Sequence, residues 1–205
     1  VGVLKLPIRN PVLVAKQVSS LQVLTNERFI LGVGLSPWLE DFQACGEDWD
    51  SRGPRLDEMI QIIRGLMSGK YFEWKSEYYD IPSIKMCPVP TKCPPIVIGG
   101  HSTPAYRRAG RYGDGVNFVS LTEDELVERL AIVNKFRKEY GRDKEPFIVQ
   151  AGMAAFTIDD MRRLEDRGVT SLGVGYRNPY EPDRMTLQQK LDWVRRFGDE
   201  VIAKY

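Results

Sequence analysis

Residues 96–118, "IVIGGHSTPAYRRAGRYGDGVNF", carry the most suggestive chemistry in the chain. An apolar run enters Gly99 and Gly100 and continues through His101 and Ser102 into a predicted helix. Thr103 is placed to cap that helix, and Pro104 suits its first position. Glycines let a backbone approach a ligand with no Cβ in the way. The amides of Gly100, His101 and Ser102 then face outward beside the positive end of a helix dipole, a setting that suits a phosphate. A tight βα turn that binds nothing accounts for the same glycines. His101 reads either as a phosphate ligand or as a bystander. At the far end of the helix, "YGDG" is expected to be structural: Gly113 as a left-handed stop, Asp114 and Gly115 as a turn. Ala105, Ala109 and Tyr112 are expected to pack inward, with Arg107, Arg108 and Arg111 on a solvated face.

Two other apolar runs end in residues of interest. "GVGLSPW" offers Gly34, Leu35 and Ser36, small enough to let a flat ring lie against the backbone or a helix pack close to its strand. "VGVLKLPIRNP" places Val3 to Leu6 where a bulge or strained peptide could support a ring. There is no G-x-G-x-x-G and no P-loop lysine, which excludes Rossmann and NTPase readings. His101 is the single histidine, and Cys87 and Cys93 are spaced too widely for a C-x-x-C pair, so no metal site is expected. A net charge of +1 gives no reason to expect nucleic acid. No apolar run approaches the roughly 20 residues of a membrane span. Reduced thiols and a cytoplasmic location are the expectation.

These strand ends need a frame. Asn10, Pro11 and the recurrence of Val12, Ala15, Val18 and Leu21 predict a helix. Residues 29–33 predict a buried strand. Leu56, Met59, Ile60, Ile63 and Met67 form one helical stripe, with Gly69 past its end. Residues 70–94 read as a surface excursion: a short hairpin and then an irregular proline-rich connection. Thr122 and Glu125 predict a capping box for a helix that Gly141 stops. In sum, six strands alternate with six helices along 1–205, read as a single α/β domain with a parallel sheet. That is either an open doubly wound sheet or about six of the eight units of a (β/α)8 TIM barrel, a fold of about 250 residues.

The motifs "LPIRNPVLVAKQVSSL", "RFILGVG", "RGPRLDEMIQIIRGLMSG", "YYDIP", "PPIVIGG" and "RRAGRYGDGVN" occur in the order seen in the bacterial luciferase-like monooxygenase superfamily, which the chain resembles over about residues 1–120. The resemblance implies a (β/α)8 barrel and an oxidoreductase using coenzyme F420, a deazaflavin, or FMN to transfer hydride to or from a small organic substrate. It also implies two further βα units, about 80 residues, ahead of Val1, for a total of about 285. By position, Gly99, Gly100, His101 and Ser102 correspond to the turn that holds the cofactor phosphate, and Val119 and Ser120 should close over it. Val3 and Leu4 match the place where many members have a non-prolyl cis peptide backing the ring. Gly34, Leu35 and Ser36 should flank the ring or ribityl chain. Where sugar-phosphate-oxidising relatives carry an acid, this chain has Pro37 and Trp38, so Trp38 is expected to line the substrate pocket. "RNPVLVAK" and "IGG" resemble the deazaflavin-dependent branch more, which favours F420 over FMN. No catalytic residue can be named. A homodimer is compatible with the family. Two other readings stay open: another phosphate-binding barrel of isomerase or aldolase type, with Arg177 near its phosphate, and a barrel that has lost its cofactor, with His101 blocking the turn.

Overall fold

The computed structural model describes residues 2–152, 157–175 and 182–205. The chain divides into two compact units, Val1–Asn117 with Ile132–Phe147 and Phe118–Ala131 with Ile148–Tyr205.

In the first unit, β1 (Leu4–Lys5) passes through a 3-10 turn (Leu6–Ile8) into α1 (Pro11–Leu24). The Asn10 side chain accepts hydrogen bonds from the amides of Val12 and Leu13 at 2.9 and 3.2 Å, and Pro11 opens the helix. This is the cap the sequence predicts: it satisfies two amides that have no partner inside the helix. β2 (Leu31–Gly34) follows, then α2 (Leu39–Cys45), α3 (Arg52–Leu66), a hairpin of β3 (Phe72–Lys75) and β4 (Asp80–Ile84), β5 (Ile96–Gly99), α4 (Thr103–Tyr112) and β6 (Gly115–Val119). The strand predicted at 29–33 thus runs from Leu31 to Gly34. α2 was not predicted; it is short, and Phe42 is its sole buried residue. One buried position shows no periodicity.

β1 pairs with β2, β2 with β5 and β5 with β6, all parallel. Register and the two-residue period of a strand sort the side chains onto two faces. Leu31, Val33, Ile96, Ile98 and Val116 share one face and are almost completely buried. Lys5, Gly34, Gly99 and Asn117 form a row across the other face, at the carboxyl ends of β1, β2 and β5. The α3 stripe of Leu56, Met59, Ile60, Ile63 and Met67 is buried as expected.

The excursion is tied down at both of its parts. The hairpin lies on α3 at Gly65, where a Cβ would sit 2.0 Å from the Phe72 ring. The Trp74 indole donates to Glu58 at 2.9 Å, and the Ser76 hydroxyl donates to the same carboxylate at 2.5 Å. The proline-rich connection is laid along α1. Lys16 donates to the Cys87 carbonyl, Ser19 to that of Pro88, and Gln22 to that of Lys92 at 3.3 Å. Prolines remove amide donors and leave carbonyls to be satisfied. Ser19 and Gln22 are buried polar residues for that reason.

In the second unit, β7 (Ile148–Gly152) pairs in parallel with β8 (Ser171–Gly173). Two helices, α6 (Ile158–Asp166) and α7 (Leu187–Phe197), open on capping boxes, Thr157 with Asp160 and Thr186 with Gln189. α7 runs on into a π turn, Gly198–Ile202. The first two turns of α5 (Glu123–Glu139) belong here, and their Thr122–Glu125 box forms as predicted. Gly141, beyond α5, has φ +68. Arg163 grips Glu123 through Nε and Nη2, at 2.8–3.1 Å. Among the described residues no helix is long and apolar enough to cross a membrane.

Candidate functional site

The row Lys5–Gly34–Gly99–Asn117 marks where the candidate residues of the first unit meet. The Gly2–Val3 peptide is cis. The Val3 side chain fills the space above both central glycines. A Cβ on Gly99 would lie 2.8 Å from Val3 Cγ1, and one on Gly34 would lie 3.3 Å from Val3 Cγ2. The two glycines therefore make room for Val3 itself. Val3 remains more than a third exposed, so an apolar surface is presented at the strand ends. Leu4, paired with Val33, points to the other face. Leu35 is half-buried and Ser36 fully buried.

The phosphate-turn candidate follows directly from this floor. Gly100 has φ +133, a conformation that side chains avoid, and a Cβ there would lie 2.9 Å from that of Ala105. α4 begins at Thr103, so the cap residue is Ser102 and not Thr103. Pro104, which suits a first turn, sits one place later than predicted. The Ser102 hydroxyl makes no capping hydrogen bond. The helix's first amides are thus left to another acceptor, and the dipole favours an anion there. His101 and Ser102 are exposed.

Beyond this turn the arginines of α4 divide. Arg107 and Arg111 are exposed as predicted, but Arg108 is buried. It pairs with Asp57 of α3 and donates to the Gly53 carbonyl at 3.1 Å. A charge that closes a helix–helix contact has no signature in composition or spacing. Ala105 and Ala109 pack inward, joined by Tyr106; Tyr112 is only half-buried. Gly113 is not left-handed but extended (φ −81, ψ 151). It must be glycine for another reason: a Cβ would lie 2.9 Å from the carbonyl oxygens of Ala109 and Gly115 and from the Ile98 side chain. Asp114 accepts from the Ile96 amide at 2.9 Å, from Arg64 at 2.7 Å and from Arg142 at 3.4 Å. "YGDG" is a structural clamp on the entry of β5.

Sequence reasoning missed a polar cluster at the other edge of the row. Lys5 Nζ lies 2.5 Å from Asp41 on α2 and 4.3 Å from the centre of the Trp38 ring. Ser36 donates to the same Asp41 oxygen, and the Trp38 amide donates to Ser36 at 3.2 Å. The Lys5 ammonium and the Ser36 hydroxyl hold the Asp41 carboxyl below the usual carboxylate range. Trp38 is more than half exposed. A lysine between leucines gave no signal, because its partner is supplied by the unpredicted helix α2.

Val119 and Ser120 belong to the second unit. Val119 is exposed, and Ser120 has φ +56, unusual for a residue with a side chain. Arg177 lies outside the described residues. Among the described residues no group of three histidine, cysteine or acidic side chains is placed to hold a metal.

Comparison with known proteins places this geometry in a family. The luciferase-like monooxygenase family pattern matches residues 1–189. An uncharacterised protein of Mycobacterium tuberculosis is 48% identical over 204 residues, 98% of this chain and 70% of that protein. The FMNH2-dependent dimethylsulfone monooxygenase of Pseudomonas fluorescens is 35% identical over 72% of this chain, which spans 40% of that enzyme. The coenzyme F420-dependent tetrahydromethanopterin reductase of Methanopyrus kandleri superposes with a TM-score of 0.75 over 96% of this chain and 80% of its own, at 15% identity. The structural likeness shows the fold, the luciferase-like (β/α)8 barrel, and the six alternating βα units account for part of it. The sequence matches show more: the chain belongs to the luciferase-like monooxygenase family.

Proposed function

We propose that the chain supplies part of the cofactor site of a flavin- or deazaflavin-dependent oxidoreductase, with coenzyme F420 favoured over FMN. One observation carries the reading: the exposed Val3 surface on Gly34 and Gly99 runs directly into Gly100 and the uncapped amino end of α4. An apolar floor beside an anion-seeking helix end matches a cofactor with a flat ring and a phosphate. Family relatives carry both F420-dependent and FMNH2-dependent names.

The residues present fit such a group. Val3, seated on Gly34 and Gly99, would back the ring, with the half-buried Leu35 beside it. The amides of Gly100, His101 and Ser102 would meet the phosphate. The cofactor supplies hydride chemistry; the protein supplies position, electrostatics and exclusion of water. Titration of the full chain with F420 and with FMN, each followed by its own fluorescence, tests the reading. Binding of F420 in preference to FMN is expected. Binding of neither at about millimolar concentration, where only about 4 kcal/mol is required, would refute it.

A further inference from the structure

Resting on that reading, we infer that Lys5, Asp41 and Trp38 form a substrate-positioning unit selecting an uncharged compound with a carbonyl or hydroxyl oxygen over an anionic one. Lys5 stands at the edge of the Gly34–Gly99 row, and its side chain is one-third exposed. An ammonium has three donors, and Asp41 takes one. The indole of Trp38 covers one side of the ammonium, and the remaining donors are free to meet an oxygen arriving over the floor.

Charge decides what kind of oxygen. Lys5 and Asp41 sum to zero, and Asp41 is fixed in its ionised form by the buried Ser36 as well as by Lys5. A neutralised pair attracts an anion weakly, while its remaining N–H groups still donate to a neutral acceptor. Trp38 adds a broad apolar wall, more than half exposed, for the body of the substrate. The alternative, that the pair merely staples α2 to β1, leaves the exposed indole unexplained. A part-exposed ion pair also adds little stability.

The test is a titration of the full chain with cyclohexanone as the neutral probe and pyruvate as the anionic one. Trp38 fluorescence, taken as wild type minus Trp38→Phe, is the readout and needs no cofactor. Cyclohexanone is expected to bind more tightly than pyruvate. Lys5→Met should weaken cyclohexanone about tenfold, the loss of one charge-assisted hydrogen bond. Asp41→Asn should raise the affinity for pyruvate by uncovering the lysine charge. A wild type that prefers pyruvate, or Lys5→Met with unchanged cyclohexanone affinity, overturns the inference. If Lys5→Met does not fold, the wild-type preference and Lys5→Arg decide. F420 affinity of the same Lys5→Met protein should stay at the wild-type value. Failure of the wild type to bind either F420 or FMN would instead refute the cofactor reading.

Discussion

Replacing Gly99 by alanine tests the central geometric claim, that the glycines of the row exist to seat Val3. The new methyl would lie 2.8, 3.2 and 3.5 Å from Val3 Cγ1, Cγ2 and Cβ. Something must move, and the backbone of β5 is fixed by parallel strands on both sides. Overpacking of this kind costs about 1–3 kcal/mol. Val3 is partly exposed and can yield, so about 1.5 kcal/mol is expected for Gly99→Ala. Val3→Ala removes two partly buried carbons and should cost about 1 kcal/mol. In the double variant the alanine methyl occupies the space that Val3 vacates. Its cost should fall to about 0.5 kcal/mol, against about 2.5 kcal/mol if the two changes were independent, a coupling of about 2 kcal/mol. Urea denaturation of the four proteins measures this. Additivity within about 0.5 kcal/mol would mean that Val3 and Gly99 do not share that space, and the floor as described would be wrong. Cofactor binding gives a second reading. Gly99→Ala should weaken it and Val3→Ala should not rescue it, because Val3 is itself the support.

Other substitutions probe the frame. Gly65→Ala should undock the hairpin, since its methyl would meet the Phe72 ring at 2.0–2.6 Å; a red shift of Trp74 emission reports it, and Phe72→Ala should reverse the stability loss. Asp114→Ala strands the Ile96 amide and two arginines, and should cost about 2 kcal/mol in chemical denaturation. Burial pushes the Cys93 thiol up to about 11, whereas Cys45 and Cys87 are exposed. Two of the three thiols should therefore react with a disulfide reagent at pH 8 and the third only on unfolding. The hydrogen bonds from Arg163 hold the Glu123 carboxyl below its ordinary value of 4.5. Its contribution to the second unit is then complete above that value and is lost as pH falls through the lowered one. Glu123→Gln should flatten this acid limb in thermal melts compared across pH, and an unchanged limb would remove Glu123 as its source.

Local patterns were enough to find most elements. Asn10–Pro11, the Leu56–Met67 stripe, the Thr122–Glu125 box and the apolar strands each act within a few residues, so their physics is written in order along the chain. The same holds for the two glycines before α4, where a sharp turn is a short-range event, and for the family resemblance that those motifs carry. Contacts across long separations could not be read that way. Lys5 with Asp41, Arg108 with Asp57 and Asp114 with Arg64 are 36, 51 and 50 residues apart. Each looks like an ordinary surface charge until the fold brings its partner up. Gly113 shows the same division in one residue. Its identity was expected, but as a helix stop; the cause is the crowding of Ile98 and two carbonyls around it. Val3 and Gly99 are 96 residues apart by number, and only parallel pairing of β1, β2 and β5 puts one on top of the other. Short-range preference chose the turns and helices, and the packing of distant strands decided what the glycines are for.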